Sequence, residues 1–197
     1  MNIVVCGIGG QGVLLFSDIL GEVAMLAGYD VKKSEVKGMA QRGGSVISHL
    51  RFDKKVYSPL IPLKTADFIV GMEKLETVRY LDYLKEDGIV ITDEIVIPPL
   101  PILVGEENFD FSVLDVYLKE RVKKLYYLPA QKIAAELGNV RVSNMVLMGF
   151  LSAFLPFEVD DYFKVIKRNV KEDYFKINQS AFLKGREEYY VRSYRHQ

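Results

Sequence analysis

The chain has few of the residues that carry redox and metal chemistry. Its 197 residues include one cysteine, two histidines and no tryptophan. Iron–sulfur clusters and thiolate zinc sites need several cysteine or histidine ligands, so we predict no metal site in this chain. A single cysteine also forms no disulfide within the chain. Cys6 lies in the apolar run of residues 3–6, which favours a small core residue over a nucleophile.

An excess of charge and a long apolar run are also missing. Lys plus Arg and Asp plus Glu both total 26, so the formal net charge is zero. Nucleic-acid-binding proteins normally show a basic excess. No apolar stretch approaches the length of a membrane span, and the N-terminus lacks the basic start of a signal peptide. We therefore expect a cytoplasmic protein that binds neither nucleic acid nor a membrane.

Strand and helix patterns alternate along the first two thirds of the chain. An apolar strand at residues 2–6 precedes a helical pattern at 11–27. Such repeated units predict an α/β fold, Rossmann-like, with a mostly parallel sheet and helices on both faces. A tight turn at 53–55 predicts one antiparallel edge pairing that involves residues 56–57. The other predicted strands are 29–36, 45–52, 68–72, 88–92, 102–104 and 125–128. On one of them lies His49, for which we expect a structural role.

The last third of the sequence is predicted to be helical, over residues 143–154, 160–168 and 174–190. The first of these helices has hardly any polar face. It is either covered by its own domain or pressed against another subunit, and the pattern does not decide between these interpretations. We predict one domain over residues 1–197, with an α/β core at 1–140 and a helical part at 141–197 packed on it.

Two glycine-rich segments carry most of the functional information. The first follows the strand at 2–6, and the second lies between the strands at 29–36 and 45–52. A glycine loop that ends a strand and opens a helix lets backbone N–H groups approach an anion closely. We predict that the two loops lie side by side at the carboxyl ends of the strands. The candidate binding residues are Gly7, Gly9, Gly10, Gln11, Gly12, Glu35, Lys37, Gln41, Arg42, Gly43, Gly44 and Ser45.

The first loop also fits a dinucleotide fingerprint. Gly7, Gly9 and Gly12 have the required spacing, and Glu35 lies near the position of the acidic residue that would hold a ribose. This allows an NAD(P)-dependent dehydrogenase. Against it, no acid–base pair for hydride transfer stands out, and the second glycine segment has no role in that scheme. A non-enzymatic nucleotide-sensing module and loops that provide only tight turns are the other interpretations.

Longer motifs resemble those of a known family. They are Gly-Ile-Gly-Gly-Gln-Gly at 7–12, the segment at 34–46 that contains Met-Ala-Gln-Arg-Gly-Gly-Ser, and the segments at 57–61, 129–139 and 144–149. Together they resemble the gamma subunit, or gamma domain, of 2-oxoacid:ferredoxin oxidoreductases. Within that family the chain is most similar to the smaller subunit of the indolepyruvate type.

The resemblance implies an oxidative decarboxylation, in which a 2-oxoacid, coenzyme A and ferredoxin give acyl-CoA, carbon dioxide and reduced ferredoxin. It places thiamine diphosphate, magnesium and [4Fe-4S] clusters in a larger partner subunit, and it implies a hetero-oligomer in which this chain holds no catalytic residue. The amides of residues 9–12, with Arg42 and Lys37, would bind a phosphate of coenzyme A, frame the partner's thiamine pocket or pack at the interface between subunits. These three roles stay open.

Overall fold

The computed structural model describes residues 1–37, 43–105 and 108–195. Its strands form one mixed sheet in the order β2-β3-β1-β4-β5-β6. Strands β1, β4, β5 and β6 pair in parallel, so the predicted parallel core is confirmed. The strands are β1 (Asn2–Ile8), β2 (Asp30–Lys37), β3 (Ser45–Asp53), β4 (Ala66–Gly71), β5 (Leu84–Asp93) and β6 (Lys124–Leu128).

Helices follow most of the parallel strands and dominate the last third of the chain, as predicted. In the described residues, no helix is both long and apolar enough to cross a membrane. The helices are α1 (Val13–Leu26), α2 (Lys74–Arg79), α3 (Leu100–Leu103), α4 (Ser112–Arg121), α5 (Ala130–Glu136), α6 (Ser143–Ser152), α7 (Val159–Asn169) and α8 (Glu172–Arg195), with short 3-10 turns at Leu81–Tyr83 and Val140–Val142.

The antiparallel part of the sheet is larger than the predicted single edge pairing. Strand β3 pairs antiparallel with β1 on one side and with β2 on the other, whereas residues 56–57 lie outside any strand. The reason is the short connection between β2 and β3. Parallel neighbours need a crossover of a dozen or more residues, so β3 must return antiparallel to β2. It then fills the position that the α1 crossover leaves open between β1 and β2.

The predicted strand at 102–104 is wrong. The carbonyl of Pro99 accepts hydrogen bonds from the amides of Ile102 and Leu103, and residues 100–103 form the short helix α3. A short apolar run fits a buried strand and a helical turn equally well. The prolines around it remove the amides that a central strand would need for its ladder.

Alternate side chains of β1 enter two different apolar layers. Ile3 and Val5 belong to a large cluster with residues of α1, α6, α7 and α8. Val4 and Cys6 face the other side, where Leu118 of α4 completes a smaller cluster. Both faces of the sheet are therefore covered, as predicted. Cys6 is fully buried, and burial raises the pKa of its thiol well above the ordinary value, which fits a core residue.

Helix α6 is covered by its own chain. Every residue from Asn144 to Ser152 is buried, and α8 crosses α6 so closely that two glycines are required. A Cβ on Gly149 would lie 1.9 Å from the carbonyl oxygen of Phe182, and one on Gly185 would lie 1.9 Å from that of Val146. The first of the two interpretations of this apolar helix is thus correct, and its lack of a polar face gives no reason to expect another subunit there.

Candidate functional site

The two glycine segments meet at the carboxyl edge of the sheet. Ile8, the last residue of β1, pairs with Ser45 at the start of β3. Beyond this pair, the amide of Gly9 donates to the carbonyl of Gly44 over 2.8 Å. The predicted neighbourhood of the loops is therefore confirmed for residues 43–45. The predicted Gln41 and Arg42 lie outside the described residues, as does the side chain of Lys37.

Gln11 stabilises the first loop from within. Its Oε1 accepts from the amide of Ile8 over 2.7 Å, and its Nε2 donates to the carbonyl of Met72 over 3.2 Å. Its own amide donates to the Ile8 carbonyl. The side chain thus ties the loop after β1 to the residue that follows β4. Both polar ends of the side chain therefore hold the shape of the loop.

The first turn of α1 presents open backbone donors. Gly12 precedes the helix in the left-handed region (φ 82°), and Gly10 also has a positive φ of 105°. Within the described ranges no side chain caps α1, and no acidic residue lies in its first turn. In the described part of the chain, no acceptor meets the amides of Gly10, Gly12, Val13 and Leu14. Such a helix start favours an anionic ligand, since its N–H groups and its dipole both present positive charge.

Two other helices begin at the same edge, and the chain supplies a carboxylate to each. Glu73, after β4, accepts from the amides of Leu75 (2.9 Å) and Glu76 at the start of α2. Asp93, at the end of β5, accepts from the amides of Ala130 (3.2 Å) and Gln131 (3.0 Å) at the start of α5.

Both carboxyl groups are buried and out of reach of solvent. Burial raises the pKa of Asp93 to about 6 and also raises the pKa of Glu73, although the hydrogen bonds from backbone amides oppose the shift. Sequence reasoning missed both residues. For Glu73 the available signal was an acidic residue directly after an apolar strand and before the expected start of a helix. Asp93 also follows an apolar strand, but the helix that it caps begins 37 residues later, so no local signal in the sequence indicated that contact.

Asn144 joins α6 to the first loop. It is only 2% exposed, and its Nδ2 lies 3.4 Å from the carbonyl oxygen of Gly12. Its Oδ1 is buried and has no partner in the part of the chain that the structure describes. Buried polar atoms are normally hydrogen-bonded, so this amide beside the open end of α1 is a second feature that suits a polar ligand. The sequence placed Asn144 in a family motif but not among the site residues.

Ser45 is held by α2. Its hydroxyl donates to the buried carboxylate of Glu76 and lies 2.8 Å from the hydroxyl of Tyr80. On the other oxygen of Glu76, the Nε of Arg79 donates over 3.0 Å. Burial raises the pKa of Tyr80. This network fixes the end of the second glycine segment against α2, so the Ser45 side chain is a positioning group.

The remaining predicted residue, Glu35, lies away from the first loop. It belongs to β2, which β3 separates from β1, and two strand spacings amount to roughly 10 Å. Its carboxylate forms an ion pair with Lys33 at 2.5 Å. A dinucleotide fold would instead place this strand directly beside β1. The structure does not bring Glu35 and the glycine loop together in the way that a nicotinamide dehydrogenase needs.

His49 has the structural role that the sequence suggested. It is buried in β3, and its Nδ1 accepts from the amide of Ile61 over 3.2 Å. Its ring meets that of Tyr83 edge-on at 5.0 Å. Burial lowers its pKa, which favours the neutral imidazole that this hydrogen bond requires.

Comparison with known proteins supports the family suggested by the motifs. The family model of pyruvate ferredoxin/flavodoxin oxidoreductase matches residues 2–188. The indolepyruvate oxidoreductase subunit IorB of Pyrococcus horikoshii is 37% identical over 188 residues, which cover 93% of each chain. The corresponding subunit of Thermococcus kodakarensis is 38% identical over 191 residues, again 93% of each chain.

Solved structures share the fold of this chain. The gamma subunit of a keto/oxoacid ferredoxin oxidoreductase from Geobacter sulfurreducens aligns with a TM-score of 0.71 at 21% identity, over 96% of this chain and 98% of the other. A 2-oxoglutarate:ferredoxin oxidoreductase from Magnetococcus marinus aligns with a TM-score of 0.76 at 22% identity, over 97% of this chain and 31% of the other. The chain belongs to the pyruvate ferredoxin/flavodoxin oxidoreductase family.

Proposed function

We propose that the chain is the cluster-free subunit of a 2-oxoacid:ferredoxin oxidoreductase that decarboxylates an aryl pyruvate such as indolepyruvate. The relatives that share more than a third of its residues are indolepyruvate oxidoreductase subunits. The chain has one cysteine, and that residue is buried in the core. Its residues do not fit an iron–sulfur cluster, which takes several thiolates. We therefore assign the clusters, thiamine diphosphate and magnesium to a larger partner subunit, and ferredoxin reduction to the assembled complex.

The proposed role of this subunit in the complex rests on the open first turn of α1. The amides of Gly10, Gly12 and Val13 are donors of the kind that hold phosphate, and Asn144 adds a buried amide beside them. We propose that they bind a phosphate of coenzyme A, whose thiol accepts the acyl group when it is bound. The Magnetococcus marinus oxidoreductase with this fold was solved with coenzyme A bound.

In this scheme the chain's own residues bind and orient, and they move no proton. Gln11 and Ser45 hold the two glycine segments in place. Arg42 and Lys37, on the second segment, are proposed to add positive charge to the phosphate contact, because an arginine offers two parallel donors to an oxyanion. We place the complex in the cytoplasm, since a free thiol and low-potential iron–sulfur chemistry suit a reducing compartment.

The experiment is a co-purification of the full chain with its larger subunit, followed by assays of iron, thiamine and coenzyme A-dependent ferredoxin reduction. We expect turnover with indolepyruvate by the complex and none by the chain alone. Turnover of a 2-oxoacid by the isolated chain would contradict the proposal. Saturable NAD(H) binding by the isolated chain would favour the dehydrogenase instead.

Arg42→Ala in the complex tests the ligand contact. Loss of one charge-assisted hydrogen bond weakens binding by about tenfold or more, so we expect the KM for coenzyme A to rise by that factor while the KM for indolepyruvate stays constant. Arg168→Ala, at an exposed arginine of α7, is the matched control. If Arg42→Ala instead disrupts assembly, the segment packs at the interface. If it changes neither quantity, the site assignment is wrong.

A further inference from the structure

A cleft lies on the α1 side of the sheet, beside the helical last third of the chain. It has a volume of about 510 Å³ and is formed by α1, the 3-10 turn before α6, the end of α7 and the start of α8. Volumes of 300–1,000 Å³ are typical of small-molecule sites. Leu15 contributes from α1 and Val142 from the turn, so the cleft opens near the first turn of α1 but is lined by different residues.

Two cationic side chains reach this cleft from separate segments. Arg141 extends from the 3-10 turn, and Lys171 from the link between α7 and α8. Among the described residues, neither has an ion-pair partner. Every residue lining the cleft is neutral or cationic, although the chain as a whole carries equal numbers of acidic and basic residues. Glu172 follows Lys171 in the chain but does not line the cleft.

Polar and aromatic groups complete the lining. The Oδ1 of Asn139 accepts from the backbone amide of Arg141 over 3.1 Å and so holds the turn that carries the arginine. Asn178 is buried, and its Nδ2 donates to the carbonyl of Tyr174 over 2.8 Å. The ring of Tyr174 is half exposed at the edge of the cleft, where a planar group can stack on it.

We propose that this cleft binds a small phosphate monoester with an aromatic or apolar body. Two unpaired cations match the charge of a phosphate monoester, which is about −1.5 to −2 near neutral pH. The volume exceeds what a bare phosphate fills, and Leu15, Val142 and Val170 offer apolar contacts to the rest of the ligand. The inference is independent of the proposed function, because it concerns binding by the chain itself.

Calorimetric titration of the full chain tests the proposal with three probes. Phenyl phosphate should bind saturably, inorganic phosphate more weakly, and phenylacetate, a monoanion of similar size, at least tenfold more weakly than phenyl phosphate. Equal binding of phenylacetate and phenyl phosphate would overturn the assignment to phosphate. The absence of saturable phenyl phosphate binding at millimolar concentration would overturn the site itself.

Charge-neutralising variants locate the site. Arg141→Gln and Lys171→Gln should each weaken phenyl phosphate binding by about tenfold. Lys167→Gln removes the same charge from an exposed position on α7 outside the cleft, and it should leave the affinity unchanged. Tyr174→Leu should weaken phenyl phosphate binding but not inorganic phosphate binding. An equal loss in Lys167→Gln would show general surface attraction and would contradict the proposal. Thermal denaturation confirms that each variant is folded.

Discussion

The starts of α1 and α5 lie at the same edge of the sheet but satisfy their backbone amides differently. At α5, the chain's own Asp93 accepts from the first two amides of the helix. At α1, a glycine precedes the helix, and among the residues that the structure describes no side chain caps its first turn. Helix α2 resembles α5, since Glu73 directly precedes it and its carboxylate accepts from the amides of Leu75 and Glu76. A helix start that binds a carboxylate of the chain itself has a structural role. A helix start without such a carboxylate is available to an external anion.

The difference follows from burial. An amide that loses water without gaining an acceptor costs about 1–3 kcal/mol, so the starts of α2 and α5 each need a buried acceptor. The loop at residues 9–12 is only partly covered, and solvent or a ligand can reach its amides. These amides therefore need no capping side chain for the fold to be stable, and this end of α1 is available for ligand binding.

The largest expected effect concerns the pH dependence of the α5 start. Because burial raises the pKa of Asp93 from 3.8 to about 6, the folded chain binds this proton more tightly than the unfolded chain. Its contribution to stability is greatest below pH 4 and is lost as the pH rises through 6, by about 3 kcal/mol. Because Asp93 of the unfolded chain is already partly ionised at pH 4, the difference in unfolding free energy between the wild type and Asp93→Asn should fall by somewhat less than the full amount, by about 2 to 3 kcal/mol from pH 4 to 7, measured by urea denaturation. A constant difference would show that Asp93 is not buried at α5. Glu158→Gln, at an exposed carboxyl group before α7, is the control.

The next effect is the loss of the acceptor at α2. Glu73 is fully buried and accepts from the amides of Leu75, Glu76 and Ile97, so Glu73→Ala leaves three donors without a partner. We expect the unfolding free energy at pH 7 to fall by about 2 kcal/mol, at the upper end of measured cap losses. Glu94→Ala should change it by less than about 0.5 kcal/mol, as is usual at exposed sites. Equal effects of the two variants would show that the Glu73 carboxylate does not stabilise the start of α2, and would contradict the distinction between this helix start and that of α1.

The last prediction concerns α1 itself, where the backbone strain alone is expected to cost no more than the loss at Glu73. Gly12→Ala must place a Cβ at positive φ, which costs roughly 1–2 kcal/mol, and 2.3 Å from Nδ2 of Asn144. In an Asn144→Ala background the steric cost of the contact with the Asn144 side chain should disappear. The double-mutant cycle therefore measures the contact between the new Cβ at position 12 and Asn144.

Gly21→Ala, in the middle of the same helix, is the matched control. Its Cβ would lie 3.4 Å from Leu50, an ordinary contact, and alanine favours helix by about 1 kcal/mol over glycine. It should therefore be neutral or stabilising in urea denaturation. If Gly12→Ala behaves in the same way, the glycine is not required at the start of α1.

Local pattern was sufficient for much of the fold. The apolar run of β1, the glycines after it and the spacing in α1 predict a strand, a loop and a helix, and all three are present. The prediction of a strand at 102–104 was wrong because a short apolar run has no distinctive period. The antiparallel insertion of β3 escaped prediction because it depends on which strands become neighbours, and that is a long-range property.

The sequence by itself determined most of the order of strands and helices and the position of the first glycine loop, because periodicity and glycine conformation act over a few residues. Only the tertiary structure decided that Gln11 and Ser45 brace the loops, that Glu35 is distant, and that α6 is covered by α8. It also decided which helix starts receive a carboxylate. Those outcomes depend on contacts between residues far apart in the chain, whose distances are set when the layers pack.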